Sequence, residues 1–220
     1  MNRSHLAFRS GAEGVRLAED TVFVTVWHFL NESGTRSEGW LLALDKGTGN
    51  ELWRVVLPKE SSGLMVNSPA VWRNLVIVTV ANGQTYAIDR NSHQIAWQIP
   101  QHLPSGTLGT ALITGAEVYG DFVYASGSDM LVRAYHAQDG MEIWATFAGQ
   151  NSGGILITEK FVYAQDGASI YMIDRATGGW YAALGHPRRT YDYAYTTAPA
   201  FANGNVFATF SDGEWSFKEP

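Results

Sequence analysis

The sequence predicts an all-β fold, a β-propeller of four-stranded antiparallel blades with about five repeat units, four complete and one truncated or shared between the termini. Three observations carry this. An apolar strand, a turn anchored by Asp or His, and a further strand ending on or near Trp recur four times, with Gly in the turn of three of the copies. The copies are LALDKGTGNELW (42–53), YAIDRNSHQIAW (86–97), RAYHAQDGMEIW (133–144) and YMIDRATGGWYA (171–182). The anchors Asp45, Asp89, His136 and Asp174 lie 44, 47 and 38 residues apart, a spacing that marks propellers and solenoids. Finally, 23 Gly, only 16% charged residues and short runs of Val, Ile, Tyr and Trp suit close strands and tight turns, and helical patterning is nearly absent.

In the first unit the strands flank a polar excursion, residues 29–39 (FLNESGTRSEG), which reads as a surface loop. In the second, residues 75–80 and 85–88 are strand formers separated by Ala81-Asn82-Gly83-Gln84. Asn-Gly supplies the positive φ angles of a tight hairpin. Each anchoring Asp is placed to accept backbone N–H groups of the following turn, with Gly49 or Gly178 completing it. At the anchor of the third unit, His136 reads as a local turn contact. Trp53, Trp97 and Trp144 read as wedges covering the gap between one twisted sheet and the next. The fourth unit has Ala182 at that position, and Trp180, two residues earlier, shares its face if the strand is regular.

Residues 198–213 align without gaps on residues 68–83 and predict a fifth unit of three strands. Its open edge is either closed by residues 5–10 (HLAFRS) or left raw in a fragment of a larger ring. The domain expectation is therefore one propeller over residues 1–220, or a partial one. A net charge of −6 and a pI near 5.5 argue against a nucleic-acid partner, which calls for a basic face. With no Cys there is neither a disulfide framework nor a thiolate metal site. The longest apolar runs, such as residues 75–81, are strand-sized, so no membrane span is expected, and the N-terminus has no signal-peptide pattern.

The order strand, Ala-x-Asp, Thr-Gly turn and x-Leu-Trp, clearest at LLALDKGTGNELW, resembles the pyrroloquinoline-quinone-type (quinoprotein-like) propeller repeat across most of residues 20–217. The resemblance implies a family with quinoprotein alcohol and glucose dehydrogenases, and also non-enzymatic members such as the lipoprotein that assists outer-membrane β-barrel assembly. It implies a periplasmic or cell-envelope location, with the cytoplasm open because the chain carries no signal peptide. The dehydrogenases hold their quinone with Ca²⁺, and the alcohol-oxidising members add a vicinal disulfide, for which this chain has no Cys. Asp45-x-Gly47-x-Gly49-x-Glu51 lacks the alternating oxygen ligands of a Ca²⁺ loop. No residue carries over as catalytic.

Six histidines (His5, His28, His93, His102, His136 and His186) show no zinc-ligand spacing, and no nucleophile elbow, phosphate loop or dinucleotide fingerprint is present. The best binding candidate is the basic and aromatic segment holding His186, Arg188, Arg189, Tyr191, Asp192, Tyr193 and Tyr195, since Arg and Tyr anchor interfaces. Its bland reading is a loop between blades with the tyrosines filling one strand face. Residues preceding each innermost strand, such as Asn67, Ser68, Asn151, Ser152, Thr196 and Thr197, are expected to line the channel. The reading is a non-catalytic propeller scaffold that binds a protein or peptide, with no cofactor and no metal, and with self-assembly through unpaired edges as a further route. The alternative is a quinone-dependent dehydrogenase or a fragment of one.

Overall fold

The computed structural model describes residues 10–30, 37–58, 68–80, 84–99, 114–126, 130–149, 154–165, 169–185, 198–210 and 213–220. These hold strands and turns and no helix. The chain forms two compact units, one of residues 1–102 with 106–111, the other of residues 103–105 with 112–220.

Unit 1 contains two four-stranded sheets. The first runs β1 (Ser10–Ala18), β2 (Thr21–Phe29), β3 (Ser37–Asp45), β4 (Glu51–Val56), and the second β5 (Ala70–Trp72), β6 (Leu75–Thr79), β7 (Thr85–Asp89), β8 (Ile95–Ile99). Unit 2 holds a third sheet of β9 (Thr114–Tyr119), β10 (Phe122–Ser126), β11 (Leu131–His136) and β12 (Glu142–Phe147). Its fourth sheet is β13 (Ile155–Ile157), β14 (Phe161–Gln165), β15 (Ser169–Asp174) and β16 (Trp180–Gly185). A fifth sheet has three strands, β17 (Ala200–Ala202), β18 (Asn205–Phe210) and β19 (Gly213–Lys218). Every sheet is an antiparallel meander in chain order, the pattern short turns impose on alternating strands. Ser10 opens β1 opposite His28, and the rest of the expected closing segment lies outside the described residues.

The turn after the third strand is built as its residues predict. Asp45 Oδ1 accepts the Thr48 N–H and hydroxyl, both at 2.7 Å, and Asp174 Oδ1 accepts the same groups of Thr177 at 2.8 and 2.7 Å. Asp89 Oδ1 accepts the N–H groups of Asn91 and Ser92 at 2.9 and 2.8 Å. His136 keeps the backbone of this turn, accepting the Gly140 N–H at 2.9 Å, while its ring packs on Phe122 with centroids 5.5 Å apart. There Asp139 serves as the side-chain acceptor, for the Met141 N–H at 3.0 Å.

These hydrogen bonds hold the three anchoring carboxyls below the usual carboxylate range. For Asp45 and Asp174 the threonine hydroxyl contributes most, and for Asp89 the backbone N–H of Ser92 does. A carboxyl whose folded pKa is depressed gives stability that is present above the unfolded pKa and lost as pH falls through the folded one. Replacing Asp45, Asp89 and Asp174 together by Asn keeps an acceptor and removes the titration. The acid limb of a stability–pH curve is then expected to flatten below about pH 4.

The residue after each anchor ties the turn to the hairpin joining the first two strands of the sheet. Lys46, Arg90, Ala137 and Arg175 donate their N–H to the carbonyls of Asp20, Asn74, Asp121 and Lys160. Where this residue is cationic, its side chain also reaches the preceding carbonyl: Lys46 to Glu19 at 3.1 Å, Arg90 to Arg73 at 3.2 Å, and Arg175 to Glu159 at 2.9 Å. In the fifth sheet Glu219 N–H bonds the Gly204 carbonyl in the same way. Its carboxylate accepts the hydroxyls of Thr158 at 2.5 Å and Tyr163 at 2.9 Å. Burial, then the Glu219 hydrogen bond, pushes the Tyr163 phenol above its ordinary value.

The Trp wedge depends on a register shift. Ala43 opposes Trp53, Ala87 opposes Trp97 and Ala134 opposes Trp144, each with a bulge just before the Trp. Trp144 reaches across to the fourth sheet, where its indole N–H bonds the Arg175 carbonyl at 3.2 Å and its ring lies on Gly178. Trp53 likewise stacks on His93 of the second sheet, with centroids 4.8 Å apart and planes at 27°. His93 and Gly178 are both four residues past their anchor and both left-handed, with φ of 58° and 73°. In both of these pairs the wedge of one sheet rests on the tightest point of the next sheet's turn.

The fourth unit departs from the expectation that Trp180 shares the face of Ala182. Its strand is not regular. Trp180 opposes Ile173 and Ala182 opposes Met172, adjacent residues pointing to opposite faces, because the bulge falls between them. Trp180 turns back to the third sheet, donating to the Phe147 carbonyl at 2.7 Å, and is 54% exposed. The wedge volume has crossed strands: three units pair Ala with Trp, and this one pairs Met172 with Ala182 against Val206 and Ala208 of the fifth sheet.

Candidate functional site

Unit 1 contains a cleft of about 380 Å³ at the turn end of its two sheets. Its walls are the β1–β2 turn with Glu19, the β5–β6 turn with Arg73 and Asn74, and the turn after β7 with Arg90 and Asn91. Thr21, Phe23 and Trp53 form its base. Glu19 and Arg73 are left-handed, with φ of 54° and 51°, as a two-residue hairpin connection demands.

Repeat comparison explains the opening. Ala18 and Thr21 flank the turn in the first sheet, where the third sheet has Tyr119 and Phe122, and there Arg175 lies over the Tyr119 ring at 4.4 Å. Small residues in the first sheet leave that volume open.

Arg90 crosses the cleft with its guanidinium 5.3 Å from the Phe23 ring centroid, bonded to Glu19 Oε2 at 3.1 Å and to the Arg73 carbonyl at 3.2 Å. Arg73 lays its guanidinium over the Trp72 ring at 4.4 Å. Asn74 bonds the Asp89 carboxylate, and that carboxylate also holds the backbone of Asn91 and Ser92. The cleft therefore presents guanidinium planes backed by aromatic rings, with carboxamides beside them. Such a set takes an acidic or hydrogen-bonding group on one side and apolar contact on the other.

The expected segment with His186, Arg188, Arg189, Tyr191, Asp192, Tyr193 and Tyr195 lies outside the described residues. So do the expected channel residues except Ser68, which packs against Gly14 in the β1 bulge. A Cβ on Gly14 would stand 2.2 Å from the Ser68 Cα, so only glycine fits. The cleft residues went unnoticed in the sequence because the repeats align by what they share. The cleft arises where they differ, at Ala18 and Thr21.

The carboxylates nearest a Ca²⁺-like pattern do not fit a quinone-bound cation. Asp45 is occupied by Thr48, Glu51 is bonded by Arg54, and no group of three or more His, Asp or Glu converges among the described residues.

A family model described as outer membrane protein assembly factor BamB matches residues 37–216. Among solved structures, BamB from Moraxella catarrhalis is 15% identical, with a TM-score of 0.53 over 94% of this chain and 97% of that one. The quinohemoprotein alcohol dehydrogenase from Comamonas testosteroni is 14% identical, with a TM-score of 0.63 over 96% of this chain and 44% of that one. The computationally designed Ika8 protein reaches a TM-score of 0.69 at 15% identity over 94% of this chain, which spans 58% of its length. The Cps50 (Swd1) beta-propeller domain from Myceliophteria thermophila is similar too, at 10% identity and a TM-score of 0.67 over 95% of this chain and 67% of that one. No curated protein matches significantly in sequence. At these identities the structural likeness speaks for the fold alone, and the fold is a β-propeller of four-stranded antiparallel blades.

Proposed function

The chain belongs to the family of the outer membrane protein assembly factor BamB, and on that premise we propose that it is a non-catalytic propeller module. It binds extended protein segments in the cell envelope, in the service of outer-membrane protein assembly. The observation that carries the reading is the cleft of unit 1, where Arg73 on Trp72 and Arg90 on Phe23 stand beside Asn74 and Asn91. Arg and Trp are the side chains that dominate protein interfaces, because each joins large contact area to directional polar groups. Positions on rigid turns keep the entropy cost of binding low. The segment from His186 to Tyr195 is a second contact of the same chemistry by its sequence.

A fluorescent strand-length peptide of alternating apolar and polar residues, ending in a free carboxylate, tests this by anisotropy. Saturable binding is expected, weakened about tenfold or more by Arg73→Glu, since a charge-assisted hydrogen bond is worth about 1.5–3 kcal/mol. Binding that ignores Arg73→Glu, or no saturation, contradicts the reading. A raised unfolding midpoint with pyrroloquinoline quinone and Ca²⁺ would replace it by a quinone-dependent one.

A further inference from the structure

Resting on the reading of the unit 1 cleft as a peptide site, we propose that the side chain it selects is a tyrosine of the bound segment. The tyrosine ring lies on the Arg90 guanidinium and its hydroxyl accepts a hydrogen bond from it.

Repeat equivalence supplies the shape of the missing group. The residue after the anchor is Arg90 in the second sheet and Arg175 in the fourth, and each donates its N–H to the hairpin of its own sheet, at the Asn74 and Lys160 carbonyls. Each also reaches the sheet before it. Arg175 meets two tyrosines of the third sheet: its guanidinium lies over the Tyr119 ring at 4.4 Å and donates to the Tyr124 hydroxyl. In the first sheet those two places are held by Ala18 and Phe23. Strand pairing fixes the equivalence, since Ala18 faces Thr21 as Tyr119 faces Phe122, and Phe23 faces Ala43 as Tyr124 faces Ala134. The two hairpins also share their form, with left-handed Glu19 and Gly120 at φ of 54° and 61°, so Ala18 leaves its strand as Tyr119 does.

The first sheet thus offers Arg90 neither the ring nor the phenol oxygen that the third offers Arg175. Arg90 reaches instead the Phe23 ring at 5.3 Å, the Arg73 carbonyl at 3.2 Å and Glu19 at 3.1 Å, with the cleft open beside it. Glu19 stands where the third sheet has Gly120, and its carboxylate neutralises Arg90. A second carboxylate at this end would meet Glu19 as a like charge, whereas a neutral phenol would not. A guanidinium also favours an aromatic face over an aliphatic side chain of similar size.

Two fluorescent strand-length peptides, identical except for Tyr or Leu at one central position, test the proposal by anisotropy. The parent is expected to bind the Tyr peptide about fivefold or more tighter. The double variant Ala18→Tyr/Thr21→Phe builds the third sheet's own pair into the first. It is expected to keep an unfolding midpoint at or above that of the parent and to bind both peptides weakly and without preference. Arg90→Lys keeps the charge beside Glu19 and removes the planar face, and is expected to lose the preference as well. Equal binding of the two peptides by the parent, still weakened by Arg73→Glu, leaves peptide binding standing and overturns the tyrosine. A preference that survives in either folded variant places the ring elsewhere and overturns it too. Failure of both peptides to bind overturns the peptide reading and this inference together.

Discussion

Gly178→Ala is expected to destabilise the chain by about 2–4 kcal/mol, measured by denaturant unfolding. Two costs add. Gly178 has φ of +73°, a left-handed conformation in which a Cβ is strained by about 1 kcal/mol. The new Cβ would also stand 2.6 Å from Trp144 Cγ and 2.7 Å from Cδ2, deep inside contact distance, so the wedge must shift. Gly49→Ala separates the two terms. It has nearly the same φ, +71°, at the equivalent place of the first sheet, but nothing lies within 4 Å of its Cβ. Its cost is expected to be the backbone term alone, about 1 kcal/mol. Equal losses at the two sites would mean that Trp144 yields freely and is no wedge.

Trp144→Ala is the second large effect, an expected loss of about 3–5 kcal/mol. The ring is 9% exposed, packs within 5.9 Å of the Tyr124 centroid, lies on Gly178 and donates to the Arg175 carbonyl. Removing it leaves a cavity between the third and fourth sheets and an unpaired carbonyl. Trp180→Ala, at the tryptophan of the fourth unit two residues before the wedge position, is expected to cost about 1 kcal/mol or less, because its ring is more than half exposed. The two substitutions distinguish a repeat position from a mere repeat residue.

That distinction marks the limit of what the sequence discloses here. The anchoring Asp, the residue four past it and the Trp are visible as letters, and the structure places them in the turn and wedge roles their chemistry suggests. His136 shows how the backbone of the turn survives without its carboxylate, with Asp139 accepting nearby. The bulge is not visible as a letter. It is one extra residue in the third-to-fourth strand ladder, set by the twist of the sheet, and it decides that Trp180 faces away from Ala182. The exchange of Ala and Trp for Met172 and Ala182 is legible only once the strands are paired, because the larger side chain moves to the facing strand of the ladder and not along the chain. The cleft of unit 1 hid for a related reason: it is defined by Ala18 and Thr21 being small where Tyr119 and Phe122 are large. The basic and aromatic segment from His186 to Tyr195 stays a proposal from sequence.

The first and second sheets, and the third and fourth, interlock through a tryptophan of one resting on the left-handed turn residue of the next. A double-mutant cycle on Trp144 and Gly178 tests this interlock most directly, since residues in contact couple and independent ones add. Measured by denaturant unfolding in the Trp144→Ala background, Gly178→Ala is predicted to cost only the backbone term, about 1 kcal/mol, as Gly49→Ala does in the parent. If Gly178→Ala costs as much without the tryptophan as with it, the two do not touch in solution, and the interlock is wrong.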